Sequence, residues 1–139
     1  MVYNFNMNSY TDILREHNLK VTPQRLAIAE AIDAKGHMSL DELYGVMLKK
    51  FSSISLATIY KNINIMLENA FIQEVKLPQA KSVYELTKEA HAHLCCKVCG
   101  SVEDIELHTA SLVQEAQKNS QFAIEGVHVV LNGVCKKCQ

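Results

Sequence analysis

The stretch HAHLCCKVCG, residues 91–100, packs two histidines and three cysteines into ten positions. Its reading depends on a second stretch, CKKC at 135–138. Cys96-Lys97-Val98-Cys99 and Cys135-Lys136-Lys137-Cys138 are two C-x-x-C pairs with 35 residues between them. A tight turn can aim both thiolates of one pair at a single ion, and two pairs complete a tetrahedral four-sulfur shell. That pattern points to a structural Zn²⁺ on Cys96, Cys99, Cys135 and Cys138. It would tie residues 135–138 back to a central hairpin, because metal-binding energy becomes folding energy. Disulfides or a redox C-x-x-C are the competing uses, and a reducing cytoplasm disfavours stable disulfides. Only the 96/99 choice gives the two-residue spacing, which leaves Cys95 as a small buried apolar side chain.

Strand alternation separates the histidines from the thiolates. In an extended segment His91 and His93 share one face and Cys96 takes the other. One short stretch can then feed two sites. The candidate partners for the imidazoles are Glu85, Asp104 and His37. Taken alone, His-x-His is weak, since exposed histidine pairs are common.

The first half reads as punctuated helices. In TPQRLAIAEAIDAKG, Thr22 is an N-cap, Pro23 stands at the first helical position and Gly36 is the stop. SLDELYGVMLKKF opens with the capping-box pair Ser39 and Glu42, and Leu40, Leu43, Tyr44, Met47, Leu48 and Phe51 lie on one face. SLATIYKNINIMLENA begins with Ser55 as cap, with Leu56, Ile59, Ile63, Met66 and Leu67 as the buried stripe. The other face carries Ala57, Thr58, Tyr60, Lys61 and Asn62, and no acid until Glu68. Two helices joined by a short turn, the second so equipped, suit a helix-turn-helix with its recognition helix in the major groove. Thr58 and Tyr60 would bond phosphates, and Lys61 and Asn62 would reach base edges. Ser55 and Arg25 complete the candidate DNA contacts. An ordinary solvated face is the competing reading. FIQEVKL and SVYELT, around PQAK, form a hairpin wing.

The second half changes character. HAHLCCKVCG and SVEDIEL are strand candidates around Gly100. TASLVQEAQKN is a short helix with Leu112, Val113 and Ala116 inward. FAIEGVHVVLNGV is expected as a strand with a bulge at Gly126. The expected division is a DNA-binding unit over 1–87 and a dimerisation and metal-binding unit over 88–139.

Composition sets the outer bounds. Of 139 residues, 48% are hydrophobic and 21% charged, which is globular rather than disordered. No apolar run approaches the ~20 residues of a membrane span, and MVYNFNMNSY lacks the basic and apolar regions of a signal peptide. A soluble cytoplasmic protein is expected. Net charge is −1, with ten basic against nine acidic residues up to Lys88 and four against six beyond. No global positive field announces a nucleic-acid ligand.

Together, LKVTPQRLAI, SLATIYKNI, YELTKEAHAHLCCKVCG and GVCKKC resemble the ferric uptake regulator superfamily of bacterial metal-dependent repressors, over nearly the whole chain. The resemblance implies an α+β protein with an N-terminal winged helix, a C-terminal α/β dimerisation domain, and a DNA-binding homodimer without membrane or small-molecule substrate. It puts structural zinc on Cys96, Cys99, Cys135 and Cys138. It puts a regulatory site for Fe²⁺ or Mn²⁺ on His37, Glu85, His91, His93 and Asp104, where mixed His/carboxylate ligation suits such ions. Many members hold a further metal site, but Ala90, Ala92 and Ser111 occupy ligand positions here. His128 falls one residue out of register, so His17, His108 and His128 are expected to be non-ligands. Asp104 resembles the peroxide-sensing branch, in which ferrous iron drives oxidation of ligand imidazoles, here His37 and His91. Glu85 departs from the Asp that some peroxide sensors carry there. An iron- or zinc-responsive repressor is the alternative. A hydrolytic metal site could use similar ligands, but no separate general base or substrate pocket is legible, so an enzyme is not expected.

Overall fold

The computed structural model describes residues 7–78 and 80–139. Residues 1–6 of the N-terminal stretch and Gln79 of the PQAK turn lie outside the described residues. The chain divides into two compact units, Met1–Thr87 and Lys88–Gln139.

The first unit runs α1 (Met7–Glu16), α2 (Pro23–Lys35), β1 (Met38–Ser39), α3 (Leu40–Lys50), α4 (Leu56–Glu68), β2 (Ile72–Val75) and β3 (Val83–Leu86). Each expected cap forms, because capping is local chemistry. Thr22 Oγ1 accepts from the Arg25 amide at 3.2 Å, Ser39 Oγ from Glu42 at 3.2 Å and Ser55 Oγ from Thr58 at 3.1 Å. Gly36 ends α2 at φ 91°, a backbone that side chains disfavour. Its amide donates to the Ile32 carbonyl at 2.7 Å.

Leu43 and Met47 of α3, and Ile59, Ile63 and Met66 of α4, are buried in one core with Ile28 and Ile32 of α2. Leu56 departs from its expected stripe and is 43% exposed. At the first helical position its side chain leans back past the helix end rather than under it. The strands form an antiparallel sheet in the order β1-β3-β2, with Gln73 opposite Glu85 and Met38 opposite Tyr84. A helix-turn-helix followed by a β2–β3 hairpin is a winged helix.

The sequence reading did not anticipate α1. Its signal is short: Tyr10, Ile13 and Leu14 recur at helical spacing, and Leu14 is wholly buried. The Tyr10 hydroxyl donates to Asp33 on α2 at 2.7 Å. Burial and the adjacent Asp33 carboxylate push the Tyr10 pKa up.

The second unit runs β4 (Ala92–Cys96), β5 (Val102–Ile105), α5 (Ala110–Lys118) and β6 (Val130–Gly133), then a 3-10 turn over Lys136–Cys138. β4 is central, antiparallel to β5 and parallel to β6. Two expectations are corrected here. The strand expected through residues 122–134 is realised only at Val130–Gly133, and Gly126 is not a bulge. β4 is five residues long and offers residues 123–128 no partner edge, and alternation without a partner makes no strand. The apolar stripe of α5 does not point inward: Leu112 is 51% exposed and Ala116 is also exposed. In this unit only Ala92, His93 and Cys96 are buried.

Docking of α1 rests on burial, so Leu14→Ala should destabilise the first unit by about 2–5 kcal/mol. Urea unfolding followed by circular dichroism checks this; a loss below about 1 kcal/mol would mean that α1 is not part of the core.

Candidate metal centres and nucleic-acid interface

The β4–β5 hairpin turns through Lys97–Gly100. Gly100, at φ 75°, donates its amide to the Cys96 carbonyl at 2.9 Å, and Cys96 donates to Ser101 O at 3.0 Å. The tight turn brings Cys96 and Cys99 together, as the C-x-x-C spacing requires. β6 runs beside β4 and delivers Cys135 and Cys138 from the following turn. The four sulfurs lie within 4.8 Å of one another.

Geometry tests the fit to zinc. Zn–S bonds of about 2.3 Å at tetrahedral angles put sulfurs about 3.8 Å apart; Cys99 Sγ and Cys135 Sγ are 3.8 Å apart. The Cys135 amide donates to Cys96 Sγ at 3.4 Å. That amide and the Cys99 amide hold the Cys96 thiol down at about 6, whereas neighbouring thiols, Cys135 first, push Cys138 up to about 12. One sulfur is poised as thiolate, and a metal must displace protons from the others. Four soft donors in a closed shell fit a structural zinc and leave no open position for catalysis.

The imidazoles lie on the opposite face of β4 from Cys96. His93 pairs in register with Asp104 on β5. Asp104 Oδ1 is 3.4 Å from Nε2 of both His91 and His93, whose Nε2 atoms are 3.0 Å apart. His91 Nδ1 donates to the Glu89 carbonyl at 2.8 Å, which fixes its tautomer and leaves Nε2 to face the cluster. Lys88 forms an ion pair with the other oxygen of Asp104.

In the first unit, Glu85 on β3 is 1% exposed. Its Oε2 lies 2.8 Å from Nε2 of His37, the residue before β1, and its Oε1 accepts from Gln73 Nε2 at 2.5 Å. Gln73 was not singled out in the sequence. Its signal is positional: β2 puts it directly opposite Glu85, where it orients a buried carboxylate. His17 donates from Nδ1 to the Asn69 carbonyl at 2.9 Å and meets Phe71 edge-on, while His108 and His128 are exposed.

On α4, Ala57, Thr58, Tyr60 and Lys61 are exposed, Tyr60 by 52%. Asn62 is engaged on both sides. Its Nδ2 donates to the Thr58 carbonyl at 3.0 Å, and its Oδ1 accepts from Arg25 Nε at 3.1 Å. Arg25 Nη1 donates to the Lys20 carbonyl at 2.9 Å. Asn62 thus braces Arg25, and Ser55 serves as the cap of α4. Among the described residues no helix is long and apolar enough to cross a membrane.

The ferric uptake regulator family model matches residues 16–132. The chain belongs to the ferric uptake regulator family. Its members are transcription regulators rather than enzymes. A peroxide-responsive repressor from Staphylococcus epidermidis is 30% identical over 128 residues, covering 91% of this chain and 85% of the relative. The solved peroxide stress regulator of Campylobacter jejuni is 34% identical with a TM-score of 0.72, over 91% of this chain and 97% of that one. The ferric uptake regulator of Vibrio cholerae is 29% identical with the same TM-score of 0.72, over 90% and 98%. The α+β architecture, with winged helix and four-cysteine α/β unit, is that of the family.

Cys99→Ser should abolish the bound zinc and collapse the second unit with it, because almost nothing else in that unit is buried. Metal analysis and thermal unfolding check the two together; a metal-free variant with an unshifted Tm would contradict the role.

Proposed function

We propose that the chain is a homodimeric, metal-dependent repressor of operator DNA that senses hydrogen peroxide through its own metal-ligand histidines. The observation that carries the peroxide reading is Asp104, held in register with His93 and facing His91. Similarity to the Campylobacter jejuni peroxide stress regulator supports it. Structural zinc is assigned to the four cysteines. Fe²⁺ or Mn²⁺ is assigned to His37 and Glu85 from the first unit with His91, His93 and Asp104 from the second. These ligands are intermediate between hard and soft, as those ions prefer.

The roles of the side chains follow. Gln73 fixes the Glu85 carboxylate, the Glu89 carbonyl fixes the His91 tautomer, and the β4–β5 register fixes His93 against Asp104. Held by these residues, ferrous iron would supply the one-electron reduction of peroxide, chemistry that manganese would not supply. His37 and His91 are the rings that would take up an oxygen from peroxide, which would lower their affinity for the metal and release the DNA. Ligands drawn from both units make DNA binding depend on the loaded site, since a dimer must space two recognition helices one helical turn apart.

Homodimerisation has its own support. A unit that buries three side chains and exposes Leu112 and Phe122, at 51% and 76%, lacks a sufficient core alone. On α4, Tyr60 and Thr58 address phosphates and Lys61 a base edge, with Arg25 a phosphate contact braced by Asn62. The protein acts in the cytoplasm, where its thiols stay reduced. An iron-responsive repressor is the second reading, favoured by the equal TM-score of the Vibrio cholerae regulator.

Mass spectrometry after mild peroxide separates them. A one-oxygen gain on His37 or His91 is expected in the Fe²⁺ form and not in the Mn²⁺ form. Unmodified rings with retained operator binding would assign the chain to iron sensing.

For the DNA face, Tyr60→Ala and Lys61→Ala should weaken operator binding with metal content unchanged. The Lys61 change should also lower the salt slope by about one unit if it meets a phosphate, and leave it unchanged if it reads a base. Wild-type affinity in both variants would move recognition off α4.

A further inference from the structure

Lys88 is the first residue of the second unit, and it is not among the expected metal ligands. Its ammonium is paired with Asp104 Oδ2, while Oδ1 of the same carboxylate faces His91 and His93 at 3.4 Å. The pair is partly exposed, Lys88 at 44% and Asp104 at 33% of the side chain. A divalent cation on this donor cluster would meet a positive charge already seated on one of its carboxylates.

We infer that Lys88 is a built-in competitor cation, an internal counter-ion for Asp104 that a divalent metal must displace and that sets how tightly the regulatory site loads. The inference rests on the ligand assignment above and adds a residue outside the ligand set.

The electrostatics give the direction. Asp104 cannot give full charge to two cations at once. Metal binding therefore breaks the Lys88–Asp104 pair or holds an ammonium close to a divalent ion, and either weakens binding. An exposed pair is worth up to about 1 kcal/mol, which corresponds to about fivefold in affinity. Salt screens such a pair. Raising ionic strength therefore relaxes the competition and partly offsets the ordinary salt weakening of metal binding. A lysine suits this role better than an arginine, since its ammonium makes a single point contact and releases readily.

The test uses the full-length, zinc-loaded protein and Mn²⁺ as the probe, read by titration calorimetry at two salt concentrations. Lys88→Gln should tighten Mn²⁺ binding about fivefold and steepen its weakening by salt, while Lys88→Arg, which keeps a competing cation, should bind Mn²⁺ no more tightly than wild type. In zinc-loaded protein without Mn²⁺, a double-mutant cycle of Lys88→Gln with Asp104→Asn on thermal stability should show coupling, a readout independent of the regulatory metal. Unchanged or weaker Mn²⁺ binding by Lys88→Gln, in a protein whose wild type binds Mn²⁺, would overturn the competitor role and leave the ligand assignment standing. Absence of Mn²⁺ binding in wild type and variant alike would overturn both.

Discussion

The unit over residues 88–139 buries Ala92, His93 and Cys96 and little else, so hydrophobic burial cannot hold it together. Small domains in this position are stapled by metals, disulfides or partners. Here the staple is the four-sulfur set. It joins the tip of the β4–β5 hairpin to the turn after β6, and so sets the parallel pairing of β6 with β4. That pairing in turn gives β4 a neighbour on each side. His93 and Asp104 then face each other across a strand pair that cannot slip, since slippage by one residue would exchange the sulfur face for the imidazole face. The rigidity of the histidine cluster is thus inherited from the cysteines.

The two donor sets divide the chemistry by softness. Four thiolates form a closed soft shell suited to zinc, with no coordination position free. His91, His93 and Asp104 form a donor set of intermediate hardness. The period of a β-strand keeps them apart: one face of β4 carries Cys96 and the other His93. His91 and His93 are therefore separated from Cys96 by the strand itself, even though His91 lies only five residues before Cys96 in sequence.

Legibility in the sequence followed the range of the interaction. Caps at Thr22, Ser39 and Ser55 and the stop at Gly36 are set by residues within four positions, and all form as expected. The C-x-x-C knuckles are equally local. α1 was missed because its helical signal is three residues, and its fixing contact, Tyr10 with Asp33, spans 23 positions. The strand expected through residues 122–134 forms only at Val130–Gly133, because β4 offers residues 123–128 no edge to pair with. The inward stripe of α5 was over-read for a related reason: an apolar stripe records that a surface is covered, not which surface covers it. Asn62, expected to reach a base edge, has its side chain hydrogen-bonded to Arg25 and the Thr58 carbonyl. A hydrogen-bond commitment over 37 positions leaves no periodicity to read.

Lys88, His91 and His93 all converge on Asp104. Its carboxylate has two oxygens; one faces two imidazoles and the other holds the ammonium of Lys88. A glutamate there would extend one methylene further and could serve imidazole and ammonium with less conflict. The shorter aspartate, fixed opposite His93 by strand register, has little freedom to turn toward one partner without loosening the other. Competition between cations is therefore built into the length of this side chain. On the proposed reading, a site loaded against an internal competitor would hold its metal less tightly than the same donors unopposed, the modest grip that release after oxidation of one ligand requires. On that reading the short Asp104 side chain and the lysine paired with it act toward the same end.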